Sequence, residues 1–200
     1  MSTINKDGML VNARVIQQRF PSIEHGKLTG VHAIVLHQTD APSLKHTFNS
    51  YRMGGNGAHF LIDKNGLIYQ TASLHMRCYH VGRLIKSKCL AVNKNNCHSA
   101  NMAKMLAMSW TQQIKAIDAH ERQKSYPDRY PVNADSIGIE LVGASIDAKA
   151  YESVTPLQNL SLQWLIGELY NHFNLTSRDV YRHPEVSYKH PDEASSAVWK

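Results

Sequence analysis

The chain has 200 residues, 42% of them apolar and 19% charged, with a formal net charge of +6. That length supports one buried core, read as a single domain over residues 1–200, and the composition excludes a disordered or fibrous chain. The positive balance draws the protein towards polyanions such as nucleic acid, anionic lipid or cell-wall carboxylates without choosing among them, and no basic run interleaved with aromatics marks a nucleic-acid groove.

The first 30 residues are charged throughout and hold no apolar stretch of signal-peptide length. No segment reaches the roughly 20 apolar residues of a membrane span, so the expectation is a protein made in the cytoplasm, without a membrane partner. Val31 to His37 (VHAIVLH) is a short β-branched run bounded by Thr29-Gly30 and by Thr39 to Pro42, which predicts a buried strand ending on a histidine. A short helix is expected over 43–52. Lys64-Asn65-Gly66 is a turn signal between AHFLID and LIYQ, giving a hairpin over 58–70. Residues 86–98 read as polar and irregular. From Ser99 to about Lys124, Met102, Met105, Leu106, Trp110, Ile114 and Ile117 recur near helical spacing, so a long helix or a helix pair is expected.

Ser136 to Val142 (SIGIELV) reads as a central strand that carries one acid, Glu140. Thr155-Pro156 is a capped helix start, and Leu157, Leu160, Trp164, Leu165, Leu169 and Phe173 continue one amphipathic face. Val180 to Arg182 is a short strand that delivers His183 to a loop. Strands mixed with helices along the whole chain predict an α/β fold: a central mixed sheet flanked by helices. Three cysteines, Cys78, Cys89 and Cys97, lack metal-site spacing. Cys89 and Cys97 can pair after export, or all three stay free thiols.

Twelve histidines is a high count, and imidazole is both the commonest metal ligand and the commonest general base. His37 and His183 each follow a predicted strand, where side chains converge on a cleft. Glu140 lies inside an apolar strand, where an unpartnered carboxylate is costly and calls for a pair, a metal or a function. Two histidines and further acids are what a hydrolytic zinc site needs: three protein ligands, an open position for water, and a carboxylate to move the proton.

Five segments together resemble one family: VHAIVLHQT around His37, GAHFLIDKNGLIYQ around His59, YHVG around His80, NADSIGIELVG around Glu140 and VYRHPEVSYKHPDEAS around His183. In this order, over about residues 31–195, they are similar to the N-acetylmuramoyl-L-alanine amidases that share a fold with phage lysozyme-type amidases and peptidoglycan recognition proteins. The resemblance implies zinc as cofactor, His37 and His183 as ligands and Glu140 as general base. It implies hydrolysis of the amide between N-acetylmuramic acid and L-alanine in peptidoglycan or its fragments. His59 is as readily structural as catalytic, and His80 is expected at the cleft rim, touching substrate at best. The tail departs from the family pattern, in which a lysine stands two residues before the third ligand. Here Lys189 is six after His183, position 191 is proline, and the candidates rank Glu193, Asp192, then His190. Lys189 is assigned the oxyanion of the tetrahedral intermediate, with a surface lysine as the alternative.

Two other functions compete: a peptidoglycan-binding module of the same fold that does not cut, and a basic nucleic-acid-processing enzyme. Three settings are open for an amidase: recycling in the cytosol, phage lysis, or injection into rival cells. Residues 11–26, the stretch between His80 and Glu140, and the ending HPEVSYKHPDEASSA resemble the antibacterial effectors of type VI secretion. That implies a secretion machinery and an immunity protein as partners, and action in the periplasm or cell wall of a target cell.

Overall fold

The computed structural model describes residues 2–97, 99–147 and 150–200. In chain order these form β1 (Thr3–Ile4), β2 (Leu10–Val11), β3 (Val15–Gln17), β4 (Glu24–Lys27), β5 (Ala33–Gln38), α1 (Leu44–Met53), β6 (Phe60–Ile62), β7 (Ile68–Gln70) and β8 (Met76–Cys78). There follow α2 (Lys88–Val92), α3 (Ala100–Leu106), α4 (Trp110–Glu121), β9 (Ser136–Leu141), α5 (Pro156–Phe173), β10 (Val180–Arg182) and α6 (His183–Val186). Six strands make a mixed sheet in the order β10-β5-β9-β6-β7-β3. Only the β6–β7 hairpin is antiparallel within it.

The period-2 alternation of a strand sorts β5 and β9 into two faces. Ile34 and Leu36 of β5, with Ile137, Ile139 and Leu141 of β9, pack in one cluster with Leu162, Leu165, Ile166 and Leu169 of α5. The intervening positions, His37 on β5 and Ser136, Gly138 and Glu140 on β9, therefore lie on the opposite face. α5 is fixed at its start by a capping box between Thr155 and Gln158. The Gln158 amide also donates to the carbonyls of Ile62 and Val142, tying the helix to the sheet.

The structure agrees with the helix pair expected after Ser99 and departs from the sequence expectations in two places. The region after Ser99 is a helix pair broken at Ala107–Ser109, and the stretch expected to be irregular contains α2, capped by Ser87 accepting from Leu90 N–H. These helices share a separate small core of Met102, Met105, Ile117 and Cys97, where Cys89 and Cys97 form a disulfide; Cys78 is a free buried thiol. His183 enters no loop: it opens the single turn α6, with Pro184 suited to a first-turn position. His98 lies outside the described residues.

Candidate active site

His37 and Glu140 stand opposite each other in the parallel β5–β9 register, and both line a cleft of about 1240 Å³. His183 is brought beside them because β10 pairs with β5 on its other side. The His37 and His183 rings lie 4.3 Å apart, centroid to centroid. Glu193 completes the group, with Oε1 2.9 Å from His183 Nδ1 and 3.5 Å from His37 Nδ1. All three side chains are buried, at 2%, 4% and 6% exposure for His37, His183 and Glu193.

The hydrogen bonds behind these atoms decide which ring nitrogens carry protons. Ser136 Oγ donates to Val132 O, so the His80 Nε2 that approaches Ser136 O and Oγ, each at 3.3 Å, must be the donor. His80 Nδ1 is then a bare acceptor, 3.1 Å from His37 Nε2, and receives the His37 Nε2–H. That leaves His37 Nδ1 without a proton. The His183 Nε2–H donates to the Val81 carbonyl at 3.0 Å, which turns the His183 Nδ1 towards Glu193 Oε1. Burial pushes the His37 pKa down to about 4, so the ring is neutral at pH 7. The Glu193 carboxyl is held down to about 2: its burial opposes ionisation, but the His183 and His37 rings beside it, with the His183 hydrogen bond foremost, outweigh that. The two Nδ1 atoms and a carboxylate oxygen thus converge on one point, with both Nε2–H groups committed elsewhere. Their ligand atoms lie within 4.8 Å of one another, and the two measured separations bracket the roughly 3.3 Å edge of a tetrahedron with zinc-length bonds. The donor set fits a cation of the zinc type.

His80 is not where the sequence placed it. It is 7% exposed and packed behind His37, not at the rim. The 80–81 backbone is fixed by Asn133 Oδ1, which accepts from both His80 N–H and Val81 N–H. A legible signal existed in Gly138: a glycine within a strand marks close approach of another group, and a Cβ there would meet His80 Cγ at 2.7 Å. His59 is fully buried and satisfied, accepting from Gly138 N–H at Nδ1 and donating to Met76 O through Nε2. It serves the sheet.

A family model described as N-acetylmuramoyl-L-alanine amidase matches residues 27–195. The chain belongs to the N-acetylmuramoyl-L-alanine amidase family. Solved structures share its fold. The catalytic domain of XlyA is 20% identical with a TM-score of 0.53, over 90% of this chain and 88% of that one. The selenomethionine derivative of AmpD is 18% identical at 0.53, over 98% and 96%. AmpDh3 from Pseudomonas aeruginosa, in complex with anhydromuramic pentapeptide, is 17% identical at 0.53, over 94% of this chain and 59% of that one. No curated protein matches significantly.

In this amidase the segment carrying Glu193 is anchored by the neighbours of the two histidines. Gln38, next to His37, accepts from Ala194 N–H, and Arg182, next to His183, donates to the carbonyls of Ala194 and Ala197. Of the other two candidates in the tail, Asp192 turns away to accept from Tyr151 N–H and Ser195 Oγ. His190 accepts from Asp192 N–H and packs its ring against Tyr151. Both stand outside the converging group.

Glu140 is half-buried, with Oε2 sealed from solvent and without a hydrogen-bond partner among the described residues. Burial, reinforced by the Glu193 charge and opposed by Lys189, pushes its pKa up to about 8. A carboxyl in that range can both take and return a proton near neutrality. Lys189 is exposed on the cleft wall, where its charge also reaches His37.

Proposed function

We propose that residues 1–200 form one zinc-dependent amidase domain. It hydrolyses the amide between the lactyl carbonyl of N-acetylmuramic acid and the amine of L-alanine, in peptidoglycan or its fragments. His37, His183 and Glu193 hold the zinc. The observation that carries this is the convergence of two imidazole Nδ1 atoms and a carboxylate in a buried pocket opening on the cleft, with the other nitrogen of each ring tied back by a hydrogen bond.

Zinc bound there supplies a Lewis acid that polarises the carbonyl and acidifies water towards neutrality. Glu140 takes a proton from the attacking water as oxygen bonds to the carbonyl carbon, then gives it to the alanine nitrogen as the carbon–nitrogen bond breaks. The Lys189 ammonium faces the oxygen on which negative charge develops. Lys189, Arg83 and Arg122 line the cleft together with Asp40, Glu140 and Glu193; with Glu193 on the metal the cations outnumber the remaining carboxylates, which suits a peptide stem bearing carboxylates.

The test is metal content with turnover. The pure protein should carry about one zinc per chain and release muramoyl peptides from sacculi, and exhaustive chelation should abolish this. Full activity after chelation sinks the reading. Glu193→Ala should lose zinc, whereas Asp192→Ala and His190→Ala keep it. Glu140→Gln should keep zinc and fold while turnover falls about 10²–10⁴-fold, the range for a lost general base.

The setting we propose is antibacterial: an effector that cuts the wall of a target cell from its periplasm, carried by a secretion machinery and neutralised by an immunity protein. The Cys89–Cys97 bond suits an oxidising compartment. No helix among the described residues is long and apolar enough to cross a membrane. Expression directed to the periplasm should lyse cells while cytosolic expression leaves growth intact; toxicity from the cytosol overturns the proposal.

A further inference from the structure

Trp110 is the first residue of α4 and 63% exposed, an unusual position for an indole, whose large apolar area normally seeks cover. Its ring is nonetheless held: it meets the Tyr188 ring edge-on, centroids 5.5 Å apart at 86°. Tyr188 is half-buried, with the Lys86 ammonium 5.6 Å from its ring centroid while that ammonium donates to Pro184 O. Tyr188 also lines the cleft, beside Lys189 and five residues after His183, so the two-ring unit continues the wall that carries the candidate metal ligands.

The helical stretch presenting Trp110 is fastened to that wall. Ile85 N–H donates to Asp118 Oδ1, Arg122 donates to Arg83 O, and Lys86 N–H donates to Val186 O. The Cys89–Cys97 bond and the small core around Met102, Met105 and Ile117 stiffen it. Two aromatic rings at right angles, fixed before any ligand arrives, are a preorganised platform.

We propose that Trp110 and Tyr188 form a saccharide-stacking subsite at the cleft rim, which makes the polymeric glycan strand a better substrate than a soluble fragment. This rests on the amidase reading. The scissile amide hangs from a sugar, so when that sugar belongs to a strand its neighbours must leave the cleft across a rim. The C–H faces of a pyranose ring and the methyl of an N-acetyl group are the apolar surfaces such a strand offers, and an aromatic face is their natural partner. A protein ligand covering the same rings is the competing outcome.

The direct test uses peptide-free glycan strands of alternating N-acetylglucosamine and N-acetylmuramic acid, added to chelator-treated protein so that nothing is cut. Binding should shift the tryptophan emission to shorter wavelength. Trp110→Ala should lose that shift and bind about ten-fold more weakly, the size expected for truncating an aromatic anchor, and Trp110→Phe should recover most of the affinity. Trp110→Gln, which places a polar side chain at a surface position, serves where the alanine variant melts early. With zinc present, the ratio of turnover on sacculi to turnover on a disaccharide-pentapeptide should fall by a similar factor in Trp110→Ala. Strand affinity and ratio both equal to wild type overturn the subsite. A zinc-loaded wild type that binds strands but cuts neither substrate overturns the amidase reading and leaves the subsite standing.

Discussion

A histidine that touches neither metal nor substrate can still set metal affinity, by deciding which nitrogen of a ligand keeps its proton. His80 occupies that place. Its Nε2–H is committed to Ser136, so its Nδ1 must accept from His37, and His37 Nδ1 is left bare towards Glu193. His80→Phe keeps the ring volume and removes the acceptor. The His37 ring then loses its anchor and its preferred tautomer, and zinc affinity should fall about 10–100-fold, the usual range for a lost orienting partner. Competition against a chromophoric chelator measures this, with circular dichroism confirming the fold. An unchanged affinity would mean that packing alone aligns His37. The sequence placed His80 near the site by resemblance, yet it put the ring at the rim. A lone imidazole in YHVG carries no sign of its burial; that sign lies 58 residues away, in Gly138.

At the scale of elements, β9 shows how one strand serves both core and chemistry. Ile137, Ile139 and Leu141 bury on one face while Ser136, Gly138 and Glu140 serve the other. Gly138→Ala places a Cβ 2.7 Å from His80 Cγ and 3.1 Å from Ala58 Cβ. In so tight a space the added methyl should cost about 1–3 kcal/mol, seen as a lower urea midpoint. Zinc affinity should drop with it, because the displaced group is the one that orients His37. A stability loss with wild-type zinc affinity would uncouple the two. Long, strongly patterned elements were legible from sequence: β5, β9, the β6–β7 hairpin and α5, each set by apolar periodicity or by a turn or cap. The two- to four-residue strands β1 to β4 and β8 were not, since so few residues cannot display a period and their pairing is decided by the partners they meet. The His37–Glu140 pairing was likewise out of reach, because it follows from register. Glu193 ranked first among three candidates in the tail, but what brings it to the histidines is the grip of Gln38 and Arg182 on the 194–197 backbone.

Across the whole molecule the charge state of the interior couples stability to pH. His37, His59 and His80 are all buried, and burial lowers the pKa of each. His59 isolates the effect on folding, since its hydrogen bonds run to Gly138 and Met76 and not to the candidate ligands. Its pKa is pushed down to about 4 from the ordinary 6.5. Between those values the unfolded chain binds a proton that the folded chain refuses, so stability is greatest above pH 6.5 and is lost as the pH falls towards 4. The full difference for this one ring is of order 3 kcal/mol. Urea midpoints of chelator-treated protein, taken from pH 7.5 down to 4.5, should therefore decline, with a slope approaching about 1.4 kcal/mol per pH unit for each imbalanced imidazole. His59→Gln should be less stable at pH 7.5, where it forfeits the bonds to Gly138 and Met76, and should show a shallower decline. If variant and wild type lose stability in parallel, His59 is not among the groups that titrate on unfolding, and the acid sensitivity belongs to the histidines at the cleft.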